Sequence, residues 1–389
     1  MKYNFDEVIN RYNTNSYKYD FPEVFNKPPG LLPLWVADMD FRIPPEVMAA
    51  IQKVADHGVY GYASAKDDYF QAVAGWYKDM HGYHVKSEWM IKVPGIVFAL
   101  GMAIKGLTAP RDAIVIQKPL YAPIENTIVA NGRVAVDNTL VYSNGRYTVD
   151  LAGFEHKIVE NKAKMFVLCS PHNPVGRVWT QDELLGMGRI CQKHNCVVVS
   201  DEIHCDLVFE GHKHLVFSTV CDEFADFSVI CTSPSKTFNL AGLQNANIFI
   251  SNEDMRAKFE HEMVALGYKQ LNVMGLTACK AAYMHGRDWL VELMVYLTKN
   301  AAFVCDVLAA ELPQVKPVAL EGTYLQWLDF TALGLSHDEL EGRLDRAKVW
   351  LSSGDSFGEA GAGFFRVNLA CPMSTLEMAM ERVVGEFKR

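Results

Sequence analysis

Between about Ile91 and Ile250, short runs of apolar and β-branched residues recur, separated by longer segments of helix-like character. The runs are Ala113–Ile116, Met165–Leu168, Cys196–Val199, Val229–Cys231 and Ala246–Ile250. None alternates apolar with polar positions, which is the signature of strands buried on both faces. One intervening segment carries its own start signal. Thr180-Gln-Asp-Glu183 has capping-box spacing and predicts a helix running toward Lys193. Pro94-Gly95 opens another, whose apolar stripe includes Ile96, Leu100 and Ile104. The pattern predicts an α/β protein with a mainly parallel central sheet and helices on both faces.

After about His285 the character changes. Long helical patterns at Asp288–Leu312 and Thr375–Phe387 enclose the strand-like runs Tyr324–Asp329 and Phe364–Leu369, as expected of a smaller α+β domain. The tyrosine- and proline-rich N-terminus is expected to pack against it. The organisation is therefore an arm at 1–45, a large domain at 46–287 and a small domain at 288–389.

The polar sequences with chemical potential fall where four predicted strands end: Lys118–Tyr121, Ser170–Pro174, Asp201–His204 and Ser233–Lys236. Ligands of open α/β sheets bind outside the carboxyl ends of the strands, so topology alone brings these four together.

Composition narrows the function classes. Half of the 389 residues are apolar, enough for a large core, and the formal net charge of −9 without any Lys/Arg block makes nucleic acid and anionic membranes poor partners. The polar start of the chain shows no secretion signal, and the longest apolar stretch, Ile91–Leu107, is interrupted by Lys92, Pro94-Gly95 and Lys105, which argues against a membrane span. Nine scattered cysteines with no Cys-x-x-Cys pair read as reduced core thiols of a cytoplasmic protein. His204, His212 and His214 near Cys205 and Asp206 lack metal-site spacing and read as solvated loop histidines, so no metal is expected.

Lys236, presented after a buried strand between Ser235 and Thr237 and followed by Gly242, suits an amine that forms an imine with pyridoxal phosphate. Asp201, at the mouth of the sheet, can pair with the pyridine nitrogen of such a cofactor, with His204 as a supporting neighbour. The Asn173 amide can donate to the phenolic oxygen, and Tyr121 offers a face to stack on the ring. Gly95 and Ile96, at a helix N-terminus, suit the phosphate, with Ser233 and Ser235 adding hydroxyls. Arg366, a charge inside an apolar strand pattern, suits a substrate carboxylate, a structural salt bridge being the competing account.

With these residues in place, the chain resembles fold-type-I pyridoxal-phosphate enzymes of the class I/II aminotransferase superfamily. Within it, the chain is most similar to the MalY/PatB group of cystathionine β-lyases and carbon–sulfur lyases. The resemblance rests on Leu34–Phe41, His57–Tyr62, Ser170–Gly176, Asp201–Leu207 and Ser233–Gln244, and runs over nearly the full length. It implies that pyridoxal 5'-phosphate is the cofactor and assigns Lys236, Asp201, Asn173, Tyr121, Gly95, Ile96, Ser233 and Arg366 the roles just described. It further implies that Tyr62 reaches the phosphate from the neighbouring subunit of a homodimer, and that Trp35 and Asp38 lie near the substrate entrance. Gln244 stands where ordinary aminotransferases carry a phosphate-binding arginine, which resembles the lyase group. The expected activity is carbon–sulfur β-elimination on L-cystathionine or related cysteine S-conjugates in methionine metabolism. An aminotransferase on the same fold, or a cofactor-binding regulatory protein acting through a partner, are the alternatives.

Overall fold

The computed structural model describes residues 2–389. Seven strands form the central sheet in the order Met90–Val93, Ala246–Phe249, Ser228–Thr232, Val197–Asp201, Met165–Cys169, Ala113–Ile116 and Val134–Asp137. Neighbours pair in parallel, except that Ala246–Phe249 runs antiparallel to both of its partners. The sheet is thus mainly parallel, as the apolar runs predict, with one reversed strand among those expected to be parallel.

Continuous apolar runs bury both faces because alternate residues feed two separate cores. Phe166, Leu168, Val198 and Ile230 face one core, while Met165, Val167, Val199 and Val229 face the other. Each such side chain contributes about 1.5–3 kcal/mol when fully buried. The apolar stretch Ile91–Leu107 is a strand end followed by the helix Ile96–Leu107, whose Ile96, Leu100 and Ile104 are buried. The helix Gln181–Lys193 begins with the capping box at Thr180 and Glu183. Helices Pro45–His57 and Asp67–His81, both of which begin without a side-chain cap, each pack against Val273–His285.

A second, four-stranded antiparallel sheet joins Lys316–Pro317, Leu325–Asp329, Phe364–Asn368 and Ser352–Ser353. Helices Arg287–Glu311 and Met373–Phe387 pack beside it. The first of these is long and apolar enough to cross a membrane by length and composition. Its Trp289, Leu290, Leu293, Leu297, Val304 and Leu308 are nevertheless buried in the protein core.

The N-terminal arm is sewn onto this smaller sheet's side of the molecule. Leu32–Pro33 pairs in parallel with Val349–Trp350, and Phe5 packs edge-on against Trp289 and Phe41. The arm also reaches the other side, where Asn239 bonds the backbone of Met39 and Phe41. Buried Lys18 lies 2.8 Å from Asp40, and Arg11 bridges Asp38 and Asp40 at 2.7 and 2.6 Å.

Candidate active site

Strand register sets the site. Cys169, Asp201 and Cys231 stand opposite one another at the carboxyl ends of adjacent strands, so the segments that follow them emerge at one level. A cavity of about 480 Å³ opens there. It gathers Asn173, Asp201, His204, Ser235, Lys236 and Arg366, with Gly95, Ile96, Tyr121 and Trp35 on its walls. These residues come from both sheets and from the arm.

Lys236 sits on the short helical turn Pro234–Thr237, and its ammonium donates to the Ala37 carbonyl at 2.5 Å. Burial lowers its pKa to about 8, reinforced by Arg366 and partly opposed by Asp38 and Asp201. Such an amine gives up its proton near neutrality far more readily than a surface lysine. Asp201 accepts the Ile203 N–H on one oxygen, at 3.2 Å. Burial raises its pKa to about 6, so the carboxylate carries charge at neutral pH at a cost that a cationic partner would relieve.

Arg366 is the most informative group in the cavity. Its guanidinium is 5% exposed and donates to Asn173 Oδ1 at 2.8 Å, the Trp35 carbonyl at 2.8 Å and Ser352 Oγ at 3.1 Å. Its Nε has no partner, and the cation lies 4.8 Å from the Phe357 ring centroid. Among the described residues no carboxylate pairs with it, so the salt-bridge account does not hold. Burial lowers its pKa to about 10. A buried cation held only by neutral acceptors favours an anionic ligand.

The Asn173 bond to Arg366 uses the amide oxygen, leaving its NH₂ to donate elsewhere. Tyr121 is partly exposed on the cavity wall. The helix Ile96–Leu107 begins at Gly95 without any side-chain cap, so its first N–H groups face the cavity mouth as an anion-binding end.

Three predicted site residues, Ser233, Asp38 and His204, sit differently from expectation. Ser233 lies outside the cavity lining, donates to the Asn245 carbonyl at 2.6 Å and caps the turn that carries Lys236 by accepting the Ser235 N–H at 3.1 Å; Ser235 is the hydroxyl on the cavity wall. Asp38 also lies off the cavity, because Arg11 and Lys18 draw its carboxylate into the arm. His204 reaches the cavity but makes no bond to Asp201. Its Nδ1 is buried without a partner, and burial holds the ring well below the usual histidine range, hence neutral. Tyr62 is fully exposed on the segment between two helices and does not touch this chain's own cavity.

The histidines are not solvated as a group, either. His204 and His214 are buried, and His214 bonds Glu202 at 2.9 Å; only His212 is exposed. His81, Cys205 and Asp206 place ligand-type atoms within 4.8 Å of one another. The Asp206 oxygens already accept from His81, Trp76 and Thr237, which makes the group a hydrogen-bonded junction. Sequence reasoning passed over the Ala37 carbonyl, Ser352, Phe357 and Tyr324. A backbone carbonyl leaves no residue-type signal, and the other three belong to runs that read as ordinary strand or loop.

A family model described as "Aminotransferase class I and II" matches residues 29–383. The chain belongs to this family. Among its relatives, cystathionine beta-lyase PatB of Bacillus subtilis (strain 168) is 42% identical over 381 residues, 98% of each chain. Among solved structures, cystalysin from Treponema denticola, which contains a pyridoxal 5'-phosphate cofactor, superposes with a TM-score of 0.96. That likeness has 36% identity and covers 100% of this chain and 99% of the other. The pyridoxal-phosphate-bound C-S lyase from Staphylococcus hominis gives 0.94 at 28% identity, over 100% and 99% of the two chains.

For a member of this family, the cavity residues fit the cofactor on their own chemistry. Asp201 has a carboxylate oxygen not used by the chain, Asn173 a spare donor, and Lys236 an amine of lowered pKa. The uncapped helix at Gly95 and the Ser235 hydroxyl suit a phosphate. Gln244 is exposed and off the cavity, and among the described residues the lining holds no arginine besides Arg366.

Proposed function

We propose that the protein is a pyridoxal-phosphate-dependent carbon–sulfur β-lyase, releasing a thiol, pyruvate and ammonia from L-cystathionine or related cysteine S-conjugates. The observation that carries this reading is Arg366, a buried guanidinium without a counter-ion in the same cavity as Lys236, Asp201 and Asn173. That set fits a ligand with one carboxylate and one amine. Full-length similarity to a cystathionine beta-lyase and to C-S lyases supports the reaction type over transamination.

When bound, the cofactor supplies an electron sink for charge at the substrate Cα. Lys236 is the residue that takes it and, as a free amine, accepts the Cα proton; the resulting ammonium can then protonate the departing sulfur. Its pKa of about 8 suits both directions of transfer near neutrality. Asp201 would keep a proton on the ring nitrogen by carboxylate pairing. Asn173 would donate to the phenolic oxygen, and Tyr121 would cover the ring. Arg366 grips the α-carboxylate bidentately and fixes the orientation of Cα toward Lys236. Gly95, Ile96 and Ser235 would hold the phosphate, and in a homodimer Tyr62 of a second copy would join them. The exposed position of Tyr62, with Val59 and Tyr60 beside it, supports that pairing. A cytoplasmic role in methionine metabolism accords with this chemistry.

Incubating the cofactor-loaded protein with L-cystathionine, without any keto-acid acceptor, should yield homocysteine and pyruvate in equal amounts. Turnover that requires a keto acid would instead make the protein a transaminase.

A further inference from the structure

The Ala37 carbonyl accepts two donors: the Lys236 ammonium at 2.5 Å and the Tyr324 hydroxyl at 2.8 Å. A carbonyl oxygen has two lone pairs, so this one is full. Tyr324 is 1% exposed and packs edge-on against His204, and among the described residues Ala37 is the one hydrogen-bond partner of its hydroxyl.

The segment bearing Ala37 is held along its whole length. The Trp35 carbonyl accepts from Arg366 and Ser352, and the Val36 and Asp38 carbonyls both accept from Asn368. Asn239 donates to Met39, while Arg11 and Lys18 hold the Asp38 carboxylate. The position of the Ala37 oxygen is therefore fixed, and the lone pair that Tyr324 leaves free decides where the Lys236 nitrogen rests.

We propose that Tyr324 is a positioning residue for Lys236, acting through the Ala37 carbonyl. By filling one lone pair, its hydroxyl restricts the directions from which the free lysine nitrogen approaches the other, and hence the direction of that nitrogen's own lone pair. A base confined in this way meets the Cα proton in a narrow range of geometries. The inference rests on the reading of Lys236 as the amine that takes the cofactor and then the proton.

Tyr324→Phe removes one hydroxyl and no packing volume. In the loaded enzyme, kcat should fall about tenfold with KM within about twofold of the parent, the range expected for a misdirected general base. The isotope effect with substrate deuterated at Cα should rise, because proton removal becomes more rate-limiting. A second readout needs no turnover: the pH dependence of pyridoxal-phosphate uptake by cofactor-free protein, followed by visible absorbance. Freed of the tyrosine, the Ala37 carbonyl is a better acceptor for the lysine ammonium, and the uptake midpoint should move up by about half a pH unit. Tyr142→Phe, which removes a hydroxyl 3.2 Å from Asp329 on the same side of the molecule, should leave both readouts in place. The proposal is overturned if Tyr324→Phe leaves isotope effect and uptake midpoint unchanged, whatever happens to kcat, or if Tyr142→Phe moves them equally. Should the parent cleave no thioether at all, the lyase reading fails, while the uptake midpoint still decides the role of Tyr324.

Discussion

Replacing Arg366 by methionine separates function from stability. In the folded protein the guanidinium pKa is lowered to about 10 from 12.5 by burial. At about 1.4 kcal/mol per unit, keeping the charge in this site costs the fold about 3 kcal/mol. Against that, the variant loses three hydrogen bonds, leaving Asn173 Oδ1 and Ser352 Oγ without their donor and the Trp35 carbonyl with the Ser352 hydroxyl alone, and each lost bond costs about 1 kcal/mol. The two effects nearly cancel, so the melting temperature of the cofactor-free protein should shift by only a few degrees. Catalysis has no such compensation. Two charge-assisted bonds to the substrate carboxylate contribute about 1.5–3 kcal/mol each, so kcat/KM should fall by about 10²–10⁴. The assay is steady-state pyruvate release from L-cystathionine, alongside a thermal melt. Arg366→Lys should recover little, since an ammonium cannot supply the planar fork. A kcat/KM within threefold of the parent would refute the carboxylate assignment. A collapse of the melting temperature would show that the cation is structural after all.

Three further outcomes follow from the same geometry. Asp201→Asn keeps the side-chain volume and can retain the Ile203 N–H bond, so cofactor uptake should persist, with kcat lowered by at least about 10²-fold because the ring nitrogen loses its anionic partner; a smaller loss in the pyruvate assay would remove Asp201 from that role. Lys18→Met breaks a fully buried ion pair with Asp40 and should destabilise the protein by about 3 kcal/mol, read by urea unfolding, with Asp40 left partly compensated by Arg11; an unchanged midpoint would contradict it. For cofactor-free protein, the folded pKa of Lys236, about 8, lies below its unfolded value of 10.5. Between these values the unfolded chain holds more protons, so stability should rise with pH across that window, and Lys236→Met should flatten the rise.

The parallel core and the converging strand ends were legible because a strand buried on both faces must be apolar throughout. Strand direction was not, since Ala246–Phe249 is as apolar as its neighbours and nothing in its residues marks it as reversed. Capping chemistry located the helix Gln181–Lys193, whereas Asp67–His81 begins after Lys66 with no side-chain cap. At the site, Lys236, Asp201, Asn173 and Arg366 were readable because each is a chemically distinctive residue at a strand end or within an apolar strand. Ser233 and Asp38 were equally distinctive, yet local partners claim them: the Asn245 carbonyl for one, Arg11 and Lys18 for the other. Residue type advertises what a group can do, and only the fold shows whether a nearer partner has already taken it. Tyr324 and the Ala37 carbonyl went unseen for the opposite reason, because their importance comes entirely from what they touch.

The account depends on one amine meeting the cofactor inside this cavity. Lys236→Ala, purified with saturating pyridoxal phosphate, should lack the visible band of the parent protein and release no pyruvate from L-cystathionine. A variant that keeps both the band and the turnover would contradict it.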